Sequence, residues 1–303
     1  MLQWIKSSLS LKVSLTLTLV TLPLTAVAAY VITARQTQNM QELTLGEGKL
    51  AAALGAKMYG AILEEAIDNG YLMANEVFDQ SYQEIKGYDW AGKPKFHTKY
   101  DFYTDRTVLG FEDRFLDNPE FVYAVGADVN GYVPTHNSIY QKPLTGTPAA
   151  DGPGNRTKRK FNNPVELKAA TNVEPTLIQF YARDTGANMW DVTSPIFVKG
   201  KHWGGFRVGV SIAEIARRKN ALMVQLVAIF GFLILLTSGS IFLMIKRSMA
   251  PLEELSKMAI EISTGENLET PIKPSTTDEV GKMAKSLDRL RASLRAAMER
   301  LGE

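Results

Sequence analysis

The chain has 303 residues, which is enough for one or two domains, and its formal net charge is +2. That charge gives no bulk electrostatic case for binding nucleic acid. Because the sequence contains no cysteine, disulfides, thiolate metal sites and cysteine nucleophiles are all excluded. The apolar residues are concentrated in two blocks.

Two uncharged apolar blocks predict two transmembrane helices. The first block is Val13–Ala34, with 22 residues, and the second is Asn220–Ile245, with 26 residues. A helix of about 20 apolar residues crosses the hydrocarbon core of a bilayer. Residues Ala26–Ala28 also fit a signal-peptidase site, but the apolar run continues through Ile32, which favours an uncleaved span.

The basic residues around the first block predict its orientation. Lys6 and Lys12 precede it and Arg35 follows it, which places the N-terminus in the cytoplasm. Two spans then bring both termini to the cytoplasmic side of an inner membrane. The predicted parts are a tail at 1–12, spans at 13–34 and 220–245, an extracytoplasmic domain at 35–219 and a cytoplasmic domain at 246–303.

The extracytoplasmic segment begins with a helical pattern. Leu43, Leu50, Leu54 and Met58 recur at whole-turn spacings, which predicts a helix from about residue 35 to the mid-80s, with a break near Gly70. This helix continues the first membrane span outward.

Strand patterns begin at FVYAVGADVNGYVPTH, where Asn130–Gly131 predicts a hairpin turn. Three further strands, TLIQFYAR, NMWDVTSPIFV and HWGGFRVGVSI, are separated by short turns at Asp184–Gly186 and Lys199–Lys201. Short turns join antiparallel neighbours. The sequence therefore predicts an α+β domain with an antiparallel sheet of about five strands and a long helix packed on one face.

A long Gly/Pro-rich segment, QKPLTGTPAADGPGNRTKRKFNNP, separates the first strands from a short predicted helix, PVELKAAT. Long loops in compact domains are often functional or disordered. The basic run Arg156–Lys160 is typical of a solvated loop, and the alternative is a lid that accepts an anion.

Three segments in order, YAVGADVNGYVPTHN, GNRTKRKFNNP and MWDVTSPIFVKGKHWGGFRVGV, resemble the extracytoplasmic sensor domain of a group of bacterial methyl-accepting chemotaxis receptors. That domain is similar to the single Cache fold, a PAS-like sheet on a long helix. The resemblance covers roughly residues 35–215. It implies sensing of a small-molecule ligand without saying which one.

The resemblance also implies a pocket between the sheet and the segment that covers it. Arginine offers a planar fork for a carboxylate, aspartate could hold an ammonium group, and aromatic rings wall small apolar pockets. For each candidate the alternative is core packing or a surface ion pair. The predicted ligand-binding residues are Tyr123, His136, Arg156, Tyr181, Arg183, Trp190 and Asp191.

The three histidines are His97, His136 and His202, and they show none of the close spacing of metal sites. We therefore predict no cofactor and no metal. The alternative is a fold that gathers the three around a metal or a haem iron.

The cytoplasmic segment contains two amphipathic helical patterns. The first has a seam at Leu252, Leu255, Ala259 and Ile262 and ends at Gly265. Pro251 marks its start, and Thr276 with Glu279 predicts a capping box for the second helix. The second seam consists of Val280, Met283, Leu287, Leu290, Leu294, Ala297 and Leu301. Two copies bury such seams as a parallel four-helix bundle, which predicts a homodimer.

Pro251 and the run Asp278–Gly281 resemble a HAMP domain over about residues 246–299. The resemblance implies that Glu279 helps to hold the start of the second helix and that Leu268 and Ile272 pack into the bundle. Pro251, Leu268, Ile272 and Glu279 are thus the predicted signal-relay residues. An ordinary coiled coil is the alternative.

These parts predict a transmembrane receptor. Residues 246–303 contain no P-loop and no nucleophile signature, so we predict that the chain is not an enzyme. The predicted output is in trans, through a cytoplasmic signalling protein or a full-length receptor. The alternatives are a ligand-binding membrane protein or truncated receptor whose HAMP domain is a dimerisation remnant, and a cofactor-binding redox protein.

Overall fold

A computed structural model describes residues 9–88, 90, 92–183 and 186–301. It contains two compact units, one of residues 32–223 and one formed by the two ends of the chain, up to residue 31 and from residue 224. Lys6 and most of the predicted turn at 184–186 lie outside the described residues.

Two long helices are apolar enough to cross a membrane by length and composition. Helix α1 spans Leu9–Asp68 and helix α7 spans Ile212–Ser263. The predicted break near Gly70 is confirmed, because α1 ends two residues earlier and Gly70 adopts a φ of 72°. The predicted extension to the mid-80s is wrong: only a short helix α2, Ala74–Val77, follows.

The unit of residues 32–223 is built on a four-stranded antiparallel sheet. Its strands are β3 (Phe121–Asp128), β6 (Leu177–Ala182), β7 (Asn188–Val198) and β8 (Lys201–Ser211), in the order β3-β8-β7-β6. The turn at Lys199–Gly200 joins β7 to β8 as predicted, with both residues at positive φ. The predicted sheet is confirmed, although it has four strands and not five.

The strand missing from this sheet is β4, Tyr132–Val133, which pairs with β5, Arg159–Lys160, and not with β3. Asn130–Gly131 therefore does not close the predicted hairpin. The Asp128 carboxylate accepts hydrogen bonds from the backbone N–H groups of Asn130 and Tyr132, both at 2.9 Å, and this turns the chain out of the sheet.

The smaller elements lie around the sheet. Helix α6, Pro164–Ala170, is the predicted short helix, and its capping box joins Asn163 to Glu166. The remaining elements are β1 (Gln83–Glu84) paired with β2 (Phe96–His97), α3 (Asp101–Thr107), α4 (Leu109–Arg114), α5 (Pro148–Gly154) and 3-10 turns at Phe115–Asp117 and Ser138–Tyr140.

Helix α1 packs on one face of the sheet, and that contact forms the apolar core of the unit. Phe206, Val208 and Val210 alternate along β8 and are fully buried against this helix. Gly55 of α1 makes the approach possible, because a Cβ atom there would lie 2.1 Å from the Phe206 ring. The predicted packing of a long helix on one face of the sheet is confirmed.

Helix α7 runs through Pro251 without interruption, so the predicted start of a new helix there is wrong. Proline lacks one backbone donor, and a long helix can absorb that loss. The helix ends at Ser263, and Gly265 follows with a φ of 83°, as predicted.

Helix α8 spans Glu279–Leu301 and packs on the C-terminal part of α7. Leu255, Ile262, Ile272 and Ala284 form the buried cluster, and Ile272 donates its backbone N–H to Asp288 Oδ1 at 2.9 Å. Packing of the connector residue Ile272, and of Leu268 at the cluster edge, agrees with the prediction.

The cap of α8 differs from the predicted box of Thr276 and Glu279. Asp278 Oδ1 accepts the backbone N–H groups of Val280 and Gly281 at 3.0 and 3.3 Å, and Thr276 Oγ1 binds the same oxygen at 2.6 Å. A Cβ atom at Gly281 would lie 1.9 Å from the Thr276 carbonyl oxygen. The glycine of the DEVG run is therefore needed for this close turn.

Candidate functional site

The face of the sheet opposite α1 carries charged and aromatic side chains. Tyr123 of β3 and Asp191 of β7 both lie opposite Gly209 of the intervening strand β8. Tyr123 crosses over this glycine and donates its hydroxyl to Asp191 Oδ1 at 2.7 Å. A Cβ atom at Gly209 would lie 2.4 Å from the Tyr123 ring, so the crossing requires glycine.

Asp191 is fully buried and its carboxylate is saturated. Arg207 Nε donates to Oδ1 and Oδ2 at 3.1 and 3.3 Å. Thr193 Oγ1 and Gln179 Nε2 donate to Oδ2 at 3.2 and 3.3 Å. Burial alone lowers the pKa of Arg207, but the Asp191 charge outweighs it, and the net pKa is raised. Asp191 therefore fixes Arg207 and Tyr123 in place.

A cavity of about 20 Å³ lies on this face, between the sheet and the covering segment. A wider groove shares Phe161 and Tyr181 with it. The lining combines rings, small apolar residues and guanidinium groups: Tyr123, Val125, Val133, His136, Arg156, Phe161, Tyr181, Arg183 and Arg207.

The basic run of the covering segment is buried and not solvated, which corrects the first of the two sequence interpretations. Arg156 is 2% exposed, and Arg159 lies 4.9 Å from the Phe161 ring. Lys158 Nζ binds Asp105 at 2.6 Å. The reason is the β4–β5 pairing, which holds the run against the domain. Arg156 lies in the cavity wall, as the lid interpretation requires.

His136 stands at the centre of a strongly positive environment. Its ring lies 4.7 Å from the Tyr140 ring, and its Nδ1 atom is buried without a hydrogen-bond partner among the described residues. Burial, and then the charges of Arg156 and Arg183, hold the pKa of His136 well below its usual range. The imidazole is therefore neutral at pH 7.

Five of the seven predicted ligand-binding residues line the cavity: Tyr123, His136, Arg156, Tyr181 and Arg183. Asp191 lies behind the wall, bonded to Tyr123 and Arg207. Trp190 packs against the α1 core instead, because neighbouring residues of a strand point to opposite faces. Whether any of them binds a ligand stays a prediction.

Sequence reasoning missed Arg207, Phe161, Val125 and Val133. The signal for Arg207 was available, since a charged residue between Phe206 and Val208 interrupts an otherwise apolar strand. The apolar residues carry no comparable signal, because core packing explains them equally well.

The structure does not gather the three histidines. His97 pairs with Asp101 at 3.2 Å, and His202 packs on the Phe197 ring at 5.5 Å. Within the described parts of the chain, no group of three or more His, Asp or Glu side chains is placed to hold a metal ion.

Residues 243–296 match the family profile of the HAMP domain. This segment is a HAMP domain. The match confirms the resemblance predicted from Pro251 and the DEVG run. A HAMP domain that begins within α7, together with a sheet domain between two helices apolar enough to cross a membrane, supports a role in signal transduction.

Solved structures similar to this chain include the sensor domain of Escherichia coli DcuS, at 18% identity and a TM-score of 0.28, over 37% of this chain and 72% of that one. The sensory domain of the Campylobacter jejuni chemoreceptor Tlp3, with isoleucine bound, is similar at 10% identity and a TM-score of 0.30, over 66% of each chain. A search of curated proteins gives no significant match.

Proposed function

We propose that this chain is a membrane-spanning receptor that binds a small ligand in the cavity, outside the cytoplasm, and passes the resulting change through α7 to the HAMP domain. The observation that carries this proposal is the cavity itself. It encloses buried polar atoms of His136, Arg183 and Arg207 that have no partner among the described residues. Buried polar groups are normally hydrogen-bonded, so these atoms are prepared for a ligand or for water.

A direct route leads from the cavity to α7. Arg207 stands on β8, and this strand ends at Ser211, immediately before α7 begins at Ile212. Any shift of Arg207 on ligand binding acts on the strand that continues into the helix.

Glu120 fastens this junction. Its carboxylate binds Arg218 of α7 and Thr44 of α1, both at 2.6 Å, and its carbonyl oxygen accepts the backbone N–H of Ser211 at 2.8 Å. The clasp ties β8 and the two long helices together at one point. It gives a ligand-induced change a stiff connection to the start of α7.

The proposed receptor is a homodimer with both termini in the cytoplasm. Met283 and Leu290 belong to the apolar seam of α8, yet they are 56% and 61% exposed in a single chain. A second copy buries them in a parallel bundle. The proposed orientation is supported by the basic residues before the first span, and the proposed output is a cytoplasmic signalling partner.

A ligand can shift the HAMP bundle only by its difference in affinity for two conformations. We propose to measure that shift by disulfide crosslinking of the full chain in nanodiscs, because the sequence has no cysteine of its own. Leu290→Cys reports on the seam, and Arg289→Cys on the outer face is the matched control. Amino acids, amines, organic acids and sugars are added one at a time.

We expect rapid crosslinking at Leu290→Cys, a rate that changes with at least one compound, and loss of that response when Val133→Trp fills the cavity. Crosslinking at Arg289→Cys should be slow and insensitive to every compound. Binding without any change in the crosslinking rate would favour the alternative of a ligand-binding membrane protein with no signalling output. A response that survives Val133→Trp would place the ligand elsewhere.

A further inference from the structure

The charged groups that line the cavity are guanidinium donors. Arg183 Nη1 binds the Tyr140 hydroxyl at 2.8 Å, while its Nε and Nη2 atoms are buried without a partner among the described residues. Arg207 donates its Nε–H to Asp191. Its Nη2 atom is buried and also has no partner among the described residues. Three guanidinium nitrogen atoms are therefore buried without a partner among the described residues, and leaving such groups without a partner is unfavourable.

None of the described residues that line the cavity carries a carboxylate. Asp191 is fully buried and already accepts hydrogen bonds from four side chains. Glu166, which lines the neighbouring groove, accepts the Tyr181 hydroxyl at 2.6 Å on Oε1 and the Asn163 backbone N–H at 3.1 Å on Oε2. An ammonium group entering the cavity would meet guanidinium charges with nothing to balance its own.

The neutral state of His136 points the same way. The groups that face it are the guanidinium groups of Arg156, Arg159, Arg183 and Arg207, together with the rings of Tyr123, Tyr140 and Phe161. Burial first, and then these positive charges, keep the imidazole unprotonated, and an anion placed among the charges would relieve their mutual repulsion.

Size and lining restrict the ligand further. The closed cavity has a volume of about 20 Å³, room for about one water molecule, so a larger ligand enters only with a shift of the lining side chains, and a compact ligand needs the smallest shift. Val125, Val133 and Phe161 form an apolar wall beside the guanidinium groups. A short hydrocarbon tail fits that wall, and a planar or tetrahedral oxyanion fits the donors.

We propose that the ligand of this cavity is a compact oxyanion, either a short carboxylate or an inorganic oxyanion such as phosphate, with no ammonium group. Arg183 and Arg207 bind its oxygens. Asp191 does not touch the ligand and acts as the residue that positions Arg207. This inference rests on the proposed function, since it names the chemical class recognised at the same site.

The test is calorimetric titration of the full chain in nanodiscs with five probes. Propionate, propionamide, propylamine and L-alanine have similar size and differ in charge, and inorganic phosphate tests the tail-less oxyanion. We expect propionate or phosphate to bind at least tenfold more tightly than the amide, the amine and the amino acid. Tighter binding of propionate than of phosphate identifies a carboxylate site, and the reverse order identifies an inorganic oxyanion site.

Two variants locate the binding. Arg183→Met should weaken the oxyanion at least tenfold, and Arg183 is the better choice because it does not hold the Asp191 pair. Arg106→Met removes an exposed cation from the same unit and should leave binding unchanged. Oxyanion binding that is indifferent to Arg183→Met would overturn the proposal, since the anion would then bind elsewhere.

The failure of this inference is distinguishable from that of the receptor function. If propylamine, propionamide or L-alanine binds best and Val133→Trp abolishes that binding, the cavity is a ligand site of another class and only the oxyanion proposal fails. If neither propionate nor phosphate binds, the oxyanion proposal also fails. The crosslinking response to other compounds then decides the receptor function by itself.

Discussion

The two faces of the central sheet are built from alternate residues of the same strands, yet they are closed in opposite ways. On one face, the apolar side chains of Phe206 and Val208 of β8 pack against α1. On the other face, Arg207 lies between them in sequence and is paired with Asp191 under a crossing Tyr123. One face is closed by shape and the other by charge and hydrogen bonds.

The comparison teaches where function can reside. An apolar face needs only close packing, because close-packed side chains leave no space for a ligand. A polar face also needs an acceptor for each buried donor. Here unpaired guanidinium atoms remain beside a cavity. The stability of the unit should thus depend on both faces, and ligand binding should depend on one.

The largest expected loss comes from the apolar face. Phe206→Ala removes a fully buried ring from the contact with α1 and leaves a cavity, so the free energy of unfolding should fall by about 3–5 kcal/mol. The measurement is denaturant unfolding of the full chain followed by tryptophan fluorescence. Phe180→Ala, at a ring that is 58% exposed, is the matched control and should change stability by less than about 0.5 kcal/mol. Equal losses for the two variants would contradict the proposed core.

The next largest loss should come from breaking the charge pair on the other face. Asp191→Asn leaves the buried Arg207 without a counter-charge, and we expect a loss of about 3 kcal/mol in the free energy of unfolding. Adding Arg207→Met should recover part of this loss, because the uncompensated charge is then gone. A double variant less stable than Asp191→Asn alone would mean that Arg207 contributes mainly through packing.

Periodicity in the sequence was enough to predict the long helix but not the face that it buries: Leu50, one of the leucines at whole-turn spacing, is 71% exposed, and Ala52 and Tyr59 of α1 belong to the core instead. The helix follows from the whole-turn spacing and the antiparallel sheet from the short turns between strands, and both signals depend only on local geometry. The HAMP seam was predictable for the same reason. Gly70 and Gly265 end their helices because only local backbone freedom is required.

The polar face was predicted less completely, because it depends on contacts between distant residues. Asn130–Gly131 is a hairpin signal by itself, but the Asp128 side chain and a pairing with Arg159 and Lys160 redirect the chain. The same pairing buries a basic run that by composition is typical of solvent exposure. Trp190 and Asp191 are adjacent in sequence, and only the strand register decides which of them reaches the cavity side.

A smaller effect is expected at the crossing of Tyr123 over β8. Gly209→Ala places a Cβ atom 2.4 Å from the Tyr123 ring, so the ring must shift and the free energy of unfolding should fall by about 1–3 kcal/mol. Gly110→Ala, in a helix with nothing within 4 Å, is the control and should be neutral or slightly stabilising. If the two variants have the same stability, the position of the Tyr123 ring does not require a glycine at residue 209. In the same Gly209→Ala protein, displacement of Tyr123 should also weaken propionate or phosphate binding.

The last expected effect depends on pH and concerns Glu112, a buried acid on the apolar side of the comparison. It is fully buried, its Oε1 atom accepts the Gly126 backbone N–H at 3.0 Å, and its Oε2 atom has no partner among the described residues. Burial raises the pKa of Glu112 well above its usual value. The folded state therefore retains a proton that the unfolded state releases above about pH 4.5.

The sign of the pH dependence follows from that proton. As pH rises above about 4.5, the contribution of Glu112 to the free energy of unfolding falls, with a slope of at most about 1.4 kcal/mol per pH unit. Glu112→Gln keeps the acceptor for Gly126 and cannot titrate, so its stability relative to the natural chain should increase from pH 5 to pH 7. Other titrating groups, including His136, are common to both proteins and cancel in the difference. Glu84→Gln, at an exposed position, is the control for losing a surface carboxylate. If the difference in free energy of unfolding between Glu112→Gln and the natural chain stays constant over this range, Glu112 is ionised in the folded state. The apolar face would then tolerate a buried charge.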